Sequence, residues 1–407
     1  MDRTIVLNVC PTSEQARILQ RTLEEHTNCF NTVVHLGFTS KCSNGVELHK
    51  QTYYDLRALY PDLPAQLVCA ARVKATETVK SALSWQKKQE ADYPKKVAKA
   101  LKKGKPAPAF KPVHCPHVKH GPIRYDARSY RVKWESSTCS LATIAGRIEL
   151  PFTVPVYAQK YSGYKTCSAD LMYRKGTWKL HVVVSIPAPA IPPSATVTGV
   201  DLGLNHPAVT SERQFLGERR WKEQERRTFR LRRKLQARGT KSAKRHLKKL
   251  SGKLFRQRRD HDHVLSTRIV QQAPAGSTIV LENLTRIRET SQIGRSKKHD
   301  TKRRLHSWSF AQFHTFLSYK AQERGIQVIK VDPRHTSQRC SRCGYQTRNN
   351  RRSQSLFHCR SRGYQLNADL NAAQNIRDKY TLPLASLGTS LARGSPVTRP
   401  IVSDLRI

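Results

Sequence analysis

Apolar and polar side chains alternate through RTIVLNVCPT with the period of two of a strand that buries one face. Pro11, Thr12 and Ser13 then supply a helix start, and EQARILQRTLEEHTNCFNTVVHLGF repeats its apolar positions at helical spacing. A second helical pattern opens after Pro64; its stripe through Leu67, Ala71 and Val79 reads as core packing rather than as a face toward nucleic acid. From Tyr93 to about Lys119 the chain is rich in Lys and Pro, which predicts an irregular basic segment that tracks phosphates. Short alternating runs follow, IRYDARSYRVKWE, LATIAGRIELPFTV and CSADLMYRKGTWKLHVVVSIP, the last carrying the hairpin signal RKGTW. Together with the first strand they predict a β-barrel over 1–195 interrupted by a helical insertion at about 13–92.

The pattern changes after AIPPSATV. TVTGVDLGLNHPAVTS is an apolar strand delivering Asp201, followed by a second short strand, and STIVLENL is an apolar strand delivering Glu282. Between them, residues 211–272 are helical in period, with Gly239 and Gly252 as expected breaks and few acids before Asp260. A polar, basic stretch over 285–307 fits either a mobile lid or a plain surface loop, and AQFHTFLSYKAQERG after Trp308 and Phe310 resumes a packed helix. A third acid, Asp369, sits in NADLNAAQNIRDKY, where Ala372 and Ala373 would let a helix lie close to a sheet.

Charge changes this picture more than length does. Lys and Arg total 74 against 29 Asp and Glu, a net charge of +45 over 407 residues, and the excess is clustered. The helices of 211–272 have few Glu to form i,i+4 pairs with their many Arg and Lys, so they repel themselves unless laid against phosphate. Nucleic acid is the expected partner. No run reaches the roughly 18 apolar residues of a spanning helix, so no membrane partner is expected. Against that basic background, three carboxylates at strand and helix ends stand out. One alone is usually a cap or a salt-bridge partner, but three gathered together repel one another and call for hard divalent cations, and a pair of Mg²⁺ ions suits phosphodiester hydrolysis.

Of the ten cysteines, the last three have ligand-like spacing. Cys340 and Cys343 form C-x-x-C; the second knuckle begins at Cys359 but carries Arg362 where a fourth cysteine would complete a Zn²⁺ ribbon over 335–365. A guanidinium offers no lone pair. Zinc binding therefore requires His358, His335 or a water as fourth ligand, with weakened affinity, and a ribbon that closes poorly would disturb Asp369 nearby.

GVDLGLNHPAVTS, IVLENL, VDPRHTSQRCSRCGY and NRRSQSLFHCRSRGYQLNADLNAAQNI, in this order, resemble the three RuvC segments and inserted zinc ribbon of the TnpB family, whose members resemble the ancestor of type V CRISPR nucleases. The resemblance covers Thr196 to Lys379 and implies an RNase H-like RuvC nuclease domain over 196–379 with Asp201, Glu282 and Asp369 as its catalytic, Mg²⁺-binding acids. It implies an N-terminal wedge barrel with a recognition insertion, a C-terminal tail over 380–407, and a cytoplasmic, nucleoid-associated prokaryotic protein. The implied activity is cleavage of double-stranded DNA beside a short adjacent motif, directed by a guide RNA made from the transposon end. Two rival readings share these residues: a nuclease-impaired, RNA-guided DNA-binding protein acting in repression or transposon regulation, and a transposase that joins strands itself. The presence of all three acids favours the metal-dependent endodeoxyribonuclease.

Overall fold

The computed structural model describes residues 1–187, 189–203, 206–285, 287 and 299–391, with the side chains of 299–302 and 383–391 left aside. The chain divides into two compact units, Met1–Pro187 and Ala188–Ile407.

The first unit runs β1 (Asp2–Val9), α1 (Ser13–Thr39), α2 (Gly45–Leu59), α3 (Ala65–Leu101), β2 (Ile123–Tyr125), β3 (Tyr130–Lys133), β4 (Thr138–Thr143), β5 (Gly146–Thr153), α4 (Val156–Gln159), β6 (Lys165–Arg174) and β7 (Thr177–Ser185). Its strands form a seven-stranded sheet in the order β2-β6-β7-β1-β5-β4-β3. The sheet curls into a nearly closed barrel: Tyr125 on one edge strand is fully buried and its hydroxyl donates to Ala142 O of β4 at 3.2 Å. Alternation fixes the register, with buried Ile5, Leu7 and Val9 of β1 opposite buried Val182, Leu180 and Trp178 of β7. The RKGTW turn is a two-residue hairpin in which Lys175 and Gly176 take φ of 55° and 77°, the left-handed pair such loops need. Helix α1 starts with a capping box, Thr12 and Gln15 bonding each other's backbone N–H. The stripe Leu67, Ala71 and Val79 is fully buried, as its spacing predicts.

The reading of 93–119 as irregular is corrected at its start. Helix α3 continues through Pro94 to Leu101, because KKVAKAL is made of strong helix formers that outweigh one missing N–H. The loop proper begins after that and folds back, with Tyr93 donating to Pro108 O at 3.1 Å and its ring 5.1 Å from Phe110.

The second unit runs β8 (Val197–Asp201), β9 (Ala208–Thr210), β10 (Phe215–Leu216), α5 (Arg219–Arg238), α6 (Lys241–Gln272), β11 (Thr278–Glu282), α7 (His299–Ser307), α8 (Phe310–Gln322), β12 (Gln327–Val331), β13 (Leu356–His358), β14 (Gln365–Asn367) and α9 (Ala368–Leu391). Among the described residues its main sheet has the order β10-β9-β8-β11-β12. β8, β11 and β12 are parallel, while β9 and β10 return antiparallel. Val200, Ile279 and Leu281 pack with Leu265, Ile269, Phe313 and Leu317 of α6 and α8. Lys320 fastens those two helices, donating to His263 O at 2.7 Å, Ser266 Oγ at 2.8 Å and Thr267 Oγ1 at 2.7 Å.

Gly239 ends α5 in the left-handed conformation at φ 65°, but Gly252 breaks nothing. Helix α6 runs straight through it, since one glycine costs only about 1 kcal/mol against neighbours that favour a helix. Most of the expected lid over 285–307 lies outside the described residues; its last part is α7, helical rather than loop-like. The C-terminal tail expected from 380 likewise starts as helix, because α9 continues to Leu391; positions 392–407 lie outside the described residues. No helix among the described residues is long and apolar enough to cross a membrane.

Helix α9 lies directly on β8 at Gly199, where an added Cβ would stand 2.2 Å from Ala373 O and 2.6 Å from Arg377 N. Only a residue without a side chain allows that approach. Gly199→Ala should therefore destabilise the second unit by about 3 kcal/mol, read as a lowered urea midpoint.

A separate pH dependence belongs to the first unit. His26 is buried with both ring nitrogens unpartnered, and burial, reinforced by Lys74, lowers its pKa from 6.5 to about 4. The folded state keeps the ring neutral, so its share of stability is complete above pH 6.5 and is lost as pH falls toward 4. His26→Leu should flatten the acid limb of unfolding by roughly 3 kcal/mol.

Candidate active site

β8 and β11 are parallel neighbours with Val200 beside Leu281, so their next residues, Asp201 and Glu282, emerge side by side at the same sheet edge. Asp369 lies in the first turn of α9, which the Gly199 contact seats across β8. Its backbone N–H bonds Asn367 Oδ1 at 3.0 Å, an Asx cap that fixes the turn. The structure thus brings Glu282 and Asp369 close enough to Asp201 to act on it electrostatically. Burial, then the charges of Glu282 and Asp369, push the Asp201 carboxyl well above the usual carboxylate range, with Arg351 opposing. Glu282 is raised as well, chiefly by burial, against the Thr336 hydroxyl, Lys379 and Arg351, which favour its charged form.

Sequence reasoning missed the groups that offset this repulsion. Arg351 Nη2 meets Asp369 Oδ1 at 3.1 Å, with Asp369 only 7% exposed. Thr336 Oγ1 donates to Glu282 Oε1. Lys222, near the start of α5, lies in the field of Asp369; burial and then Arg304 and Arg226 hold its pKa down. It lines a cavity with Leu202, Gly203, Trp221 and Arg258, which opens directly after Asp201. Arg351 and Lys222 each sit in a basic run, and nothing local marks them out. The donor set at the sheet edge is all carboxylate oxygen, fitting a hard divalent cation such as Mg²⁺.

The ribbon insert carries Arg351 between its knuckles. The first knuckle closes with Cys340 N–H to Tyr345 O at 3.0 Å and Gly344 N–H to Cys340 O at 2.9 Å; the second repeats this with Cys359 to Tyr364 at 2.8 Å and Gly363 to Cys359 at 2.9 Å. Gly344 and Gly363 both take positive φ, 77° and 65°. The three thiol sulfurs lie within 4.8 Å of one another, and among the described residues neither His335 nor His358 joins them. His335 instead faces Gln338 at 3.4 Å. Three thiols at such spacing fit a thiophilic cation such as Zn²⁺, whose tetrahedral sites have sulfurs roughly 3.8 Å apart. The insert is also fastened to α9 without metal: Ser341 N–H to Asn371 Oδ1 at 3.0 Å, Asn371 Nδ2 to Arg339 O at 2.8 Å, and Asn375 Nδ2 to Arg339 O at 2.7 Å.

Two segments of the chain match families of known proteins. Residues 181–288 match the family model described as "Probable transposase", and 310–376 match "Cas12f1-like, TNB domain". The first match contains Asp201 and Glu282 and the second contains the three thiols and Asp369. A Cas12f1 CRISPR-associated endodeoxyribonuclease of Sulfoacidibacillus thermotolerans is 40% identical over 132 residues, covering 32% of this chain and 29% of that protein. The putative RNA-guided DNA endonuclease InsQ of Escherichia coli is 31% identical over 199 residues, 45% of this chain and 49% of InsQ. A TnpB-like protein, MJ0751 of Methanocaldococcus jannaschii, is 31% identical over 134 residues, 33% of this chain and 46% of that protein. The chain thus matches less than half the length of each of these relatives. Among solved structures, CasPhi-2 (Cas12j) bound to crRNA superposes with a TM-score of 0.50 at 11% identity, covering 92% of this chain and 97% of that one, a likeness of fold. The resemblance to the TnpB family read from the motifs is borne out.

Arg351→Met should lower stability by about 2 kcal/mol at neutral pH, because it leaves Asp369 facing two carboxylates with its ion-pair partner gone. Adding Asp201→Asn should restore part of that loss, and a double-mutant cycle in chemical unfolding measures the coupling.

Proposed function

We propose that the chain is an RNA-guided DNA endonuclease of transposon origin, with a RuvC-type, RNase H-like domain that cuts double-stranded DNA beside a short adjacent motif. The observation that carries this reading is the meeting of Asp201, Glu282 and Asp369, from three distant parts of the chain, at one sheet edge beside cationic groups. The strand order β10-β9-β8-β11-β12, three antiparallel strands followed by parallel ones, supports the RNase H-like assignment. Two Mg²⁺ ions held by the three acids would supply an activated water and stabilisation of the leaving oxygen.

The chain's own residues do the positioning. Arg351 holds the Asp369 carboxylate, Thr336 orients Glu282, and Lys222 sets a cation where a phosphate oxygen would lie. Helices α5 and α6 line their exposed faces with Arg and Lys, suited to a guide–target heteroduplex read by its backbone. The barrel and helices of the first unit act as wedge and recognition parts that hold guide RNA and target duplex. The names of the relatives, RNA-guided endonuclease and CRISPR-associated endodeoxyribonuclease, point the same way.

Purified with its copurifying RNA and given Mg²⁺, the protein should cleave a plasmid library bearing the matching target next to a constant motif. Asp201→Ala should lower cleavage by at least about a thousandfold and leave RNA binding within about twofold. Loss of both would assign Asp201 a structural role, and target binding without cutting by the unaltered chain would favour the nuclease-impaired reading.

A further inference from the structure

The two knuckles share one backbone design but differ in donors. Each closes a Cys-to-Tyr and a Gly-to-Cys hydrogen bond around a left-handed glycine, so position 362 occupies in the second turn the place Cys343 holds in the first. Backbone N–H groups also converge on the sulfurs, from Arg342 and Cys343 onto Cys340 and from Ser361 and Arg362 onto Cys359. These amides favour thiolate, the form that binds metal.

At the fourth corner Arg362 is exposed, as are Arg360 and Ser361, while Cys343 is half-buried. Cys343 Sγ and Cys359 Sγ lie 3.5 Å apart, close enough to share one ion. The turn does not depend on a fourth ligand for its shape. Buried Asn350 bridges both knuckles, donating to Gln338 O at 2.9 Å and Tyr345 O at 3.0 Å and accepting from Arg360 N–H at 2.9 Å, over the fully buried Phe357. A Cys₄ ribbon surrounds its ion with four protein sulfurs; this one presents three, with Cys340 and Cys359 buried, Cys343 half-buried and the exposed Arg362 at the fourth position.

We propose that the cluster binds one thiophilic divalent cation through Cys340, Cys343 and Cys359 and leaves its fourth coordination position to a small exchangeable ligand from solution, with a low-molecular-weight thiolate preferred over water. Each sulfur–metal bond forms as its thiol releases a proton to solvent, so no redox partner is involved. Three thiolates on a dication leave one negative charge near Arg342, Arg360 and Arg362. An incoming thiolate completes a tetrahedron of sulfur in surroundings that tolerate its charge.

The test uses the full-length chain, reduced, stripped with chelator and titrated anaerobically with Co²⁺. The expected result is a sulfur-to-cobalt charge-transfer band saturating at one equivalent, and a visible band that shifts saturably when 2-mercaptoethanol is added. Arg362→Cys should bind Zn²⁺ about tenfold or more tightly in a chelator competition, and its cobalt spectrum should ignore the added thiol. Cys343→Ser should lose most of the charge-transfer intensity. A visible band in the unaltered chain that does not move with thiol would overturn the proposal by showing that a protein group fills the fourth position. So would a charge-transfer band seen only in Arg362→Cys. The readout is spectroscopic, so neither failure bears on the proposed nuclease activity.

Discussion

Three carboxylates meet where the protein provides little water, and everything around them is arranged against their mutual repulsion. Like charges held close in a medium of low effective dielectric repel by more than a typical surface ion pair contributes. Burial adds to this by disfavouring the charged forms of Asp201 and Glu282. Against it stand the guanidinium of Arg351, the Thr336 hydroxyl and the more distant amines of Lys222 and Lys379. Carboxylates so balanced have the oxygen donors that hard divalent cations prefer.

The ribbon insert belongs to this balance. It delivers Arg351 to Asp369, and through Ser341, Arg339 and Thr336 it is hydrogen-bonded to the first turns of α9. Loss of the fourth cysteine therefore leaves the acid site supported, because the contacts to α9 run through amides and backbone carbonyls rather than through sulfur.

Much of this was legible in the sequence wherever a local pattern encodes a local outcome. RKGTW folds as the hairpin its residues require, and VTGVD and TIVLE end as apolar strands on the acids that matter. Legibility fails where competing local tendencies are close in energy. The helix that persists through Pro94 and the one that ignores Gly252 are cases in which neighbouring helix formers outweighed a single breaker. It fails again where meaning depends on contact, for Arg351 and Lys222 are indistinguishable in sequence from the many basic residues beside them. Gly199 carried a hidden signal of its own: a glycine inside an apolar strand marks the close approach of another backbone.

That glycine has a mechanical consequence. Between β8 and α9 no deformable side chain is interposed, so main chain rests on main chain within van der Waals range. Asp201 lies two residues from this contact on the strand, and Asp369 about one helical turn from it on the helix. Their separation is thus set by a stiff junction rather than by soft packing. Thermal motion will displace the two as one body, and Glu282 is tied to the same frame through the parallel pairing of β11 with β8.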